Sequence, residues 1–165
     1  MDDIELTPAA FRQVAGRFAT GVTVVTTVVD GIDHVMTAST FTSVSLDPLL
    51  VLVNVEIDSR FHDAIAEASS YGVTVLTENQ RAVASWFATR GRPLHGQLGR
   101  CAYHRGPHTG VALLDEGLAT FECRLVEVHP AGDHSIVIGE VVGMELGAGH
   151  EGALLHYRGQ FHRLD

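Results

Sequence analysis

The chain has 165 residues, of which 45% are hydrophobic and 19% charged, and a formal net charge of −9 at pH 7. That length and composition fit one globular domain spanning residues 1–165, with enough apolar side chains to bury a core, and exclude a disordered segment. The basic side chains number 11 against 20 acidic ones and are scattered, which speaks against nucleic acid as a partner, because neutralising phosphates takes clustered cations.

No 18-residue apolar stretch marks a membrane span, and the acidic start Met1-Asp2-Asp3-Ile4-Glu5 lacks the basic-then-apolar pattern of a signal peptide. A cytoplasmic protein with no membrane attachment is expected. Cys101 and Cys123 belong to no C-x-x-C pair, so reduced, packed thiols are expected rather than a disulfide framework or a metal site.

Thr7-Pro8 reads as an N-cap followed by proline at the first helical position, and Phe11, Val14, Ala15 and Phe18 then recur at helical spacing. This predicts a short opening helix. Residues 21–29 are rich in β-branched side chains and Asp30-Gly31 supplies a turn, so two strands are expected, the second running on through a hydroxyl-rich segment. A third strand is expected over Leu49 to Glu56.

The hydroxyl-rich segment is unusual for a strand. With a period of two, Thr37, Ser39, Ser43 and Ser45 share a face with Phe41, while Thr40 and Thr42 share the other with Ala38 and Val44. Neither face is cleanly apolar. The pattern fits a solvated edge strand, where threonine is a good strand former, and equally a strand hydrogen-bonded to something flat and polar.

Ser59 is placed to cap a second helix with Phe61, Ala64, Ile65 and Ala68 on its buried side, and a strand follows over Tyr71 to Leu76. Thr77-Glu78-Asn79-Gln80 matches a capping box ahead of a helix carrying Val83, Trp86 and Phe87. Residues 90–117 turn to Gly, Pro, Arg and His with little periodicity, which predicts a long loop near the site or a subunit contact. Leu118 to His129, Ser135 to Leu146 and Ala153 to Phe161 complete the strands. Strands dominate, with helices between them, so the chain reads as a mainly antiparallel β-barrel with peripheral helices.

Three patterns mislead. Gly147-Ala148-Gly149-His150-Glu151-Gly152 satisfies G-x-G-x-x-G, but no helix or βαβ unit follows it, and a glycine-rich hairpin loop is the better reading. His104 and His108 are four apart, yet Gly106-Pro107 between them denies the helix that would align two imidazoles on a metal. There is no G-x-S-x-G elbow for a serine hydrolase.

Three segments taken in order resemble the short-chain flavin reductase family, the small reductase components of two-component flavin monooxygenases. They are Met36-Thr37-Ala38-Ser39-Thr40-Phe41-Thr42-Ser43-Val44-Ser45-Leu46-Asp47-Pro48, Pro130-Ala131-Gly132-Asp133-His134-Ser135 with the apolar strand after it, and Leu154-Leu155-His156-Tyr157-Arg158-Gly159-Gln160-Phe161. The similarity runs from about Phe11 to Phe161. It implies a Greek-key-like, FMN-binding split β-barrel that holds flavin at a homodimer interface. It also implies hydride transfer from NADH or NADPH to N5 of FMN or FAD, with reduced flavin reaching a partner monooxygenase by diffusion. In such chemistry the cofactors carry the electronics and the protein positions two flat rings, so no nucleophile or strong base is required. The same barrel also serves flavoproteins that retain FMN for another redox reaction, and noncatalytic flavin- or haem-binding modules.

The resemblance implies that Thr37, Ala38, Ser39, Thr40, Phe41, Thr42 and Ser43 line the isoalloxazine and ribityl positions. Asn54 is the only polar residue from Leu49 to Val55, costly unless paired, and fits either a structural hydrogen bond or a flavin contact. Ser59 and Arg60 open a helix and by resemblance receive the flavin phosphate, although on sequence grounds Arg60 also reads as a solvated surface charge. Gln80 and Arg81 open the next helix, where they would meet the phosphate or the adenylate of FAD, with Gln80 already engaged in capping. His134 would pack near the nicotinamide. Tyr157 and Arg158 would close the site, or Arg158 would hold a carboxylate across the dimer. Arg90, Arg92, Arg100 and Arg105 are the candidates for reading a 2′-phosphate. Phe61, Thr74 and His156 depart from the residues common in the family.

Overall fold

The computed structural model describes residues 4–164; Met1, Asp2 and Asp3 of the acidic start, and Asp165, lie outside the described residues. The first helix, α1 (Pro8–Ala15), is capped as the sequence predicts, with Thr7 Oγ1 accepting from the Ala10 N–H at 3.2 Å. Its apolar face is left exposed among the described residues, since no residue of α1 is buried, Phe11 is 74% exposed and Phe18, just beyond the helix, is 79% exposed.

The short β1 (Thr20–Gly21) leads into β2 (Thr23–Val29), β3 (Ile32–Ala38), β4 (Thr42–Leu46) and β5 (Leu49–Glu56). After α2 (Arg60–Glu67) come β6 (Ser70–Val75), a single 3₁₀ turn at Glu78–Gln80 and α3 (Arg81–Ala88). The rest is β7 (Tyr103–Arg105), β8 (Ala112–Leu114), the long pair β9 (Ala119–Ala131) and β10 (His134–Leu146), and β11 (Leu154–Tyr157) and β12 (Gln160–Arg163).

Seven strands form one antiparallel sheet in the order β3-β2-β6-β9-β10-β5-β4. Its two edges, β3 and β4, are consecutive in the chain and joined by residues 39–41 alone. Four Cα steps reach at most about 14 Å, whereas the edges of a flat seven-stranded sheet would lie about 29 Å apart, so the sheet has to curl on itself. The curled sheet encloses one core, including Val25, Val53, Val55, Phe61, Ile65, Tyr71, Val73 and Val137. A second core on its outside contains Val22, Val24, Val35, Leu76, Ala84, Phe87, Leu114 and Leu154. Strand β2 sends Val25 into one core and Val24 into the other, which accounts for its β-branched run being buried on both faces.

Four expectations are corrected. The hydroxyl-rich segment is not one strand: β3 stops at Ala38, and the chain crosses to the other edge before β4 begins. Residues 90–117 are not all loop, since β7 and β8 form a hairpin there and β8 is buried throughout. Glu122, only 2% exposed on β9, holds this segment through one carboxylate oxygen. That oxygen accepts from the N–H groups of His108 (3.0 Å) and Thr109 (2.8 Å) and from the Thr109 hydroxyl (2.7 Å). Residues 153–161 are not a single strand either: Arg158 (φ 51°) and Gly159 (φ 76°) turn β11 back into β12. Residues 147–152 make no hairpin, because they carry the chain from β10 to β11 in a separate three-stranded sheet with β1 and β12.

Candidate active site

The crossing from β3 to β4 leaves an open wedge that α2, α3 and the segment after α3 wall off. The result is a cleft of about 480 Å³, within the roughly 300–1,000 Å³ of small-molecule sites. One wall is the run from His34 to Thr40, a second is Asn54 and Glu56 of β5 with His134 at the head of β10, and a third is Ser59 and Arg60 at the start of α2. Asp58, Phe61, Phe87, residues 88–92 and Gln97 complete it.

Of the residues singled out in the sequence, the cleft gathers Thr37, Ala38, Ser39, Thr40, Asn54, Ser59, Arg60 and His134. Several of their polar atoms are already committed. Thr37 Oγ1 donates to the Ala84 carbonyl of α3 at 2.7 Å. Thr40 Oγ1 accepts from the Asn54 N–H at 3.0 Å, standing in for a backbone carbonyl where β4 has not yet begun to pair with β5. Ser59 Oγ accepts from the His62 N–H (3.2 Å) and donates to the Glu56 carbonyl (2.7 Å). Asn54 Oδ1, by contrast, is buried with no hydrogen-bond partner among the described residues. A buried amide oxygen with nothing to bond costs free energy on the order of 1–3 kcal/mol, so it fits a ligand that brings a donor.

The remaining sequence candidates lie elsewhere. Phe41 turns inward and stacks at 5.2 Å on Phe121 against the inner core, while Thr42 and Ser43 are exposed on the edge strand β4. Gln80 is buried with both ends of its amide occupied: Oε1 accepts from the Thr77 N–H at 2.9 Å and Nε2 donates to the Asp115 carbonyl at 3.1 Å. Arg81 is exposed beside it. Tyr157 and Arg158 sit at the β11–β12 turn, with the guanidinium over the Tyr157 ring and the Arg158 N–H bonded to the Gly16 carbonyl. None of these lines the cleft.

Two of the family departures acquire structural reasons. Phe61 is buried in the inner core and lines the cleft beside Arg60, and Thr74 Oγ1 accepts from the Leu114 N–H at 3.0 Å, anchoring β8.

Sequence reasoning missed His34, Glu56 and Phe87 as cleft residues and left Arg90 and Arg92 unresolved among four loop arginines. Arg92 is scaffolding: its guanidinium donates to the carbonyls of Phe87 (2.6 Å), Val35 (2.7 Å) and Thr89. Burial, helped by the nearby Arg60 guanidinium, lowers the Arg92 pKa. Arg60 Nη2 donates to the Arg92 carbonyl at 2.5 Å. Burial and Arg60 together also pull the His34 imidazole below its ordinary value, against the opposing pull of Asp33 and Glu67. His134 Nδ1 is bonded to Asp133 at 2.7 Å, which lowers the Asp133 pKa, and His134 lies opposite Glu56 in the β5–β10 register. The cysteines stay outside the cleft, and burial pushes the Cys123 thiol up to about 12, as expected of a packed, inert thiol.

A curled antiparallel sheet, split between its edge strands and holding a polar, arginine-flanked cleft at the split, makes a barrel with a small-molecule site at its seam. Residues 15–165 match the flavin reductase like domain, and the chain belongs to that family. It is 40% identical over 167 residues to an NADH-dependent flavin reductase of a Rhodococcus species, covering 99% of this chain and 90% of that one. It is 41% identical over 157 residues to an NADH:riboflavin 5′-phosphate oxidoreductase of Streptomyces pristinaespiralis, covering 94% and 87%. Among solved structures, BorF, the flavin reductase component of a bacterial two-component tryptophan halogenase, superposes with a TM-score of 0.90 at 44% identity over 96% of this chain and 98% of that one. The NADH:FAD oxidoreductase SgcE6 of Streptomyces globisporus, in complex with NAD and FAD fragments, superposes with a TM-score of 0.92 at 31% identity over 100% and 98%. The fold is the split barrel of these reductases.

Proposed function

We propose that this single-domain chain is an NADH-dependent flavin reductase that takes up FMN or FAD, reduces it and releases it to a flavin-dependent monooxygenase. The observation that carries the reading is the cleft at the split of the barrel. It gathers four sequence-distant segments around an unpartnered buried amide oxygen on Asn54.

A bound flavin supplies the hydride-accepting ring, and the chain supplies position and charge. Ala38 and Ser39 give the wall small side chains that admit a flat ring, and Asn54 Oδ1 offers an acceptor to its edge. Arg60 and the N-terminus of α2 place positive charge where a flavin phosphate is held. His134, kept in one orientation by its Nδ1 contact with Asp133, packs the nicotinamide against the flavin. Thr37, Thr40 and Ser59 fix the walls through bonds they already make, and Gln80 shapes the start of α3 through its bonds to Thr77 and Asp115.

The reductase works as a homodimer. The exposed apolar face of α1, together with Leu46 and Leu49 on the β4–β5 hairpin, gives a second copy the surface to cover. Across that dimer Tyr157 and Arg158, which pack beside α1, complete the neighbouring cleft. Among the described residues no helix is long and apolar enough to cross a membrane, and two unpaired thiols together with the use of NADH support a cytoplasmic setting.

The test is NADH oxidation, followed at the nicotinamide absorbance with FMN or FAD in excess. Oxidation that saturates with free flavin is expected. His134→Ala is expected to lose hydride-transfer rate or NADH affinity by tenfold or more while FMN affinity, read by flavin fluorescence, stays within about threefold. Absence of turnover with either flavin refutes the proposal.

A further inference from the structure

At the mouth of the cleft stands an ion pair that the reductase reading does not use. Glu56 is the last residue of β5 and Arg90 lies two residues beyond α3, and Arg90 Nη2 donates to both carboxylate oxygens, at 2.7 and 2.6 Å. The pair is weakly held. The Arg90 side chain is 79% exposed and that of Glu56 40%, so water and salt screen their attraction.

The other arginines named for the loop are committed in ways Arg90 is not. Arg92 is bonded to three backbone carbonyls, Arg105 forms two bonds to Asp33, and Arg100 lies over the Trp86 ring. Arg105 also donates to the Gly110 carbonyl and lies outside the cleft, whereas Arg90 lines the cleft and its hydrogen bonds go to the Glu56 carboxylate.

The surroundings give this contact a consequence. Glu56 and Asp58 line the cleft with His134, and a third carboxylate, Asp133, is bonded to His134 from outside the lining. The chain as a whole carries −9. A dinucleotide brings two further negative charges on its pyrophosphate. Without a cation at the mouth, its approach to His134 is opposed by like charge, and Glu56 is the register partner of His134.

We propose that Arg90 is the receptor for the pyrophosphate of the nicotinamide dinucleotide and that Glu56 is its resident substitute ligand, displaced on entry and restored on release. Guanidinium donates to phosphate and carboxylate oxygens with the same geometry, so for Arg90 the exchange replaces one charge-assisted contact by another, and the displaced Glu56 carboxylate, 40% exposed, turns to water. Arg60, at the start of α2, remains the group for the flavin phosphate. The assignment therefore separates the two anionic ligands of the cleft. It rests on the reductase reading above.

The two partners of this pair make opposite predictions, which a passive clasp does not. If the pair only ties the segment after α3 to β5, losing either partner frees that segment and shifts affinity in the same direction. If Glu56 occupies the receptor, Arg90→Gln weakens dinucleotide binding and Glu56→Gln strengthens it.

The probe is ADP-ribose, which carries the pyrophosphate without the nicotinamide, titrated calorimetrically into flavin-free protein, alongside the KM for NADH at saturating FMN. Arg90→Gln is expected to raise both constants about tenfold and Glu56→Gln to lower both about threefold. The double variant is expected to behave like Arg90→Gln, because removing the competitor matters only while the receptor is present. The KM for FMN is expected to move less than twofold in Arg90→Gln. Shifts of the same sign in the two single variants, or a loss of FMN affinity with ADP-ribose binding unchanged in Arg90→Gln, overturn the assignment. Failure of the unmodified protein to oxidise NADH with either flavin overturns instead the reductase reading on which it stands.

Discussion

Thr37 lies in the cleft wall, yet its hydroxyl is spent on the Ala84 carbonyl, 47 residues away on α3. Thr37→Val keeps the branched shape and removes the donor, so it separates a ligand contact from a structural tie. The lost bond is 2.7 Å long and half-buried, and such a bond contributes a net of about 0.5–1.5 kcal/mol. In a chain of this length 1 kcal/mol corresponds to a Tm change of about 2–4 °C, so the variant is expected to melt about 1–6 °C lower by circular dichroism. Because the hydroxyl is already engaged, FMN affinity measured by fluorescence quenching is expected to change less than about threefold. Thr37→Ser, which keeps the donor, is expected to restore most of the Tm. A Thr37→Val protein with unchanged Tm and flavin affinity reduced tenfold or more would refute the reasoning and make the hydroxyl a flavin ligand.

Two further predictions follow from packing and charge. A Cβ at Gly139 would lie 2.4 Å from Tyr71 Oη and 2.7 Å from its ring, and Tyr71 is fully buried, so Gly139→Ala is expected to cost about 1–3 kcal/mol in urea unfolding. Tyr71→Phe added to it should recover part of that loss, and a Gly139→Ala protein as stable as the parent would contradict the packing. His34 is held below its ordinary 6.5, so as pH falls the unfolded chain takes up this proton first. The folded state therefore loses stability from about pH 6.5 downward, until the pH is below the folded value. Relative to His34→Gln, the parent is expected to lose Tm between pH 7.5 and 5.5, and a pH-independent difference between the two would show that His34 is not the group.

The legible parts of this chain are those whose physics is local. Thr7 and Ser59 cap their helices, and Gln80 bonds the Thr77 N–H, because each needs only a partner three residues away, and spacing in the sequence is then distance in space. The strands on either side of the cleft were readable from β-branched runs, and much of the cleft followed from the ordered motifs. Asn54 stood out because a lone amide in an apolar strand needs a partner, although its Oδ1 turns out to lack one within the chain.

Periodicity carried less far where tertiary contacts override it. A run of hydroxyls looks like one strand, but the curl of the sheet breaks it after Ala38, sending Thr37 to α3, Thr40 to β5 and Phe41 into the core. Pattern alone could not tell these fates apart. Arg90, Arg92, Arg100 and Arg105 were equivalent in sequence and have four different environments in the fold.

Capping and alternation thus determined the helix starts and most of the strands, since each is settled by neighbours within a few residues, while the site residues followed from the resemblance of three ordered motifs. Only the tertiary structure decided which hydroxyls face the cleft, which arginine pairs with Glu56 at its mouth, and that Glu122 is satisfied by residues 13 and 14 positions away. Those outcomes depend on how a seven-stranded sheet closes over itself, and closure is set by the packing of residues distant in the chain.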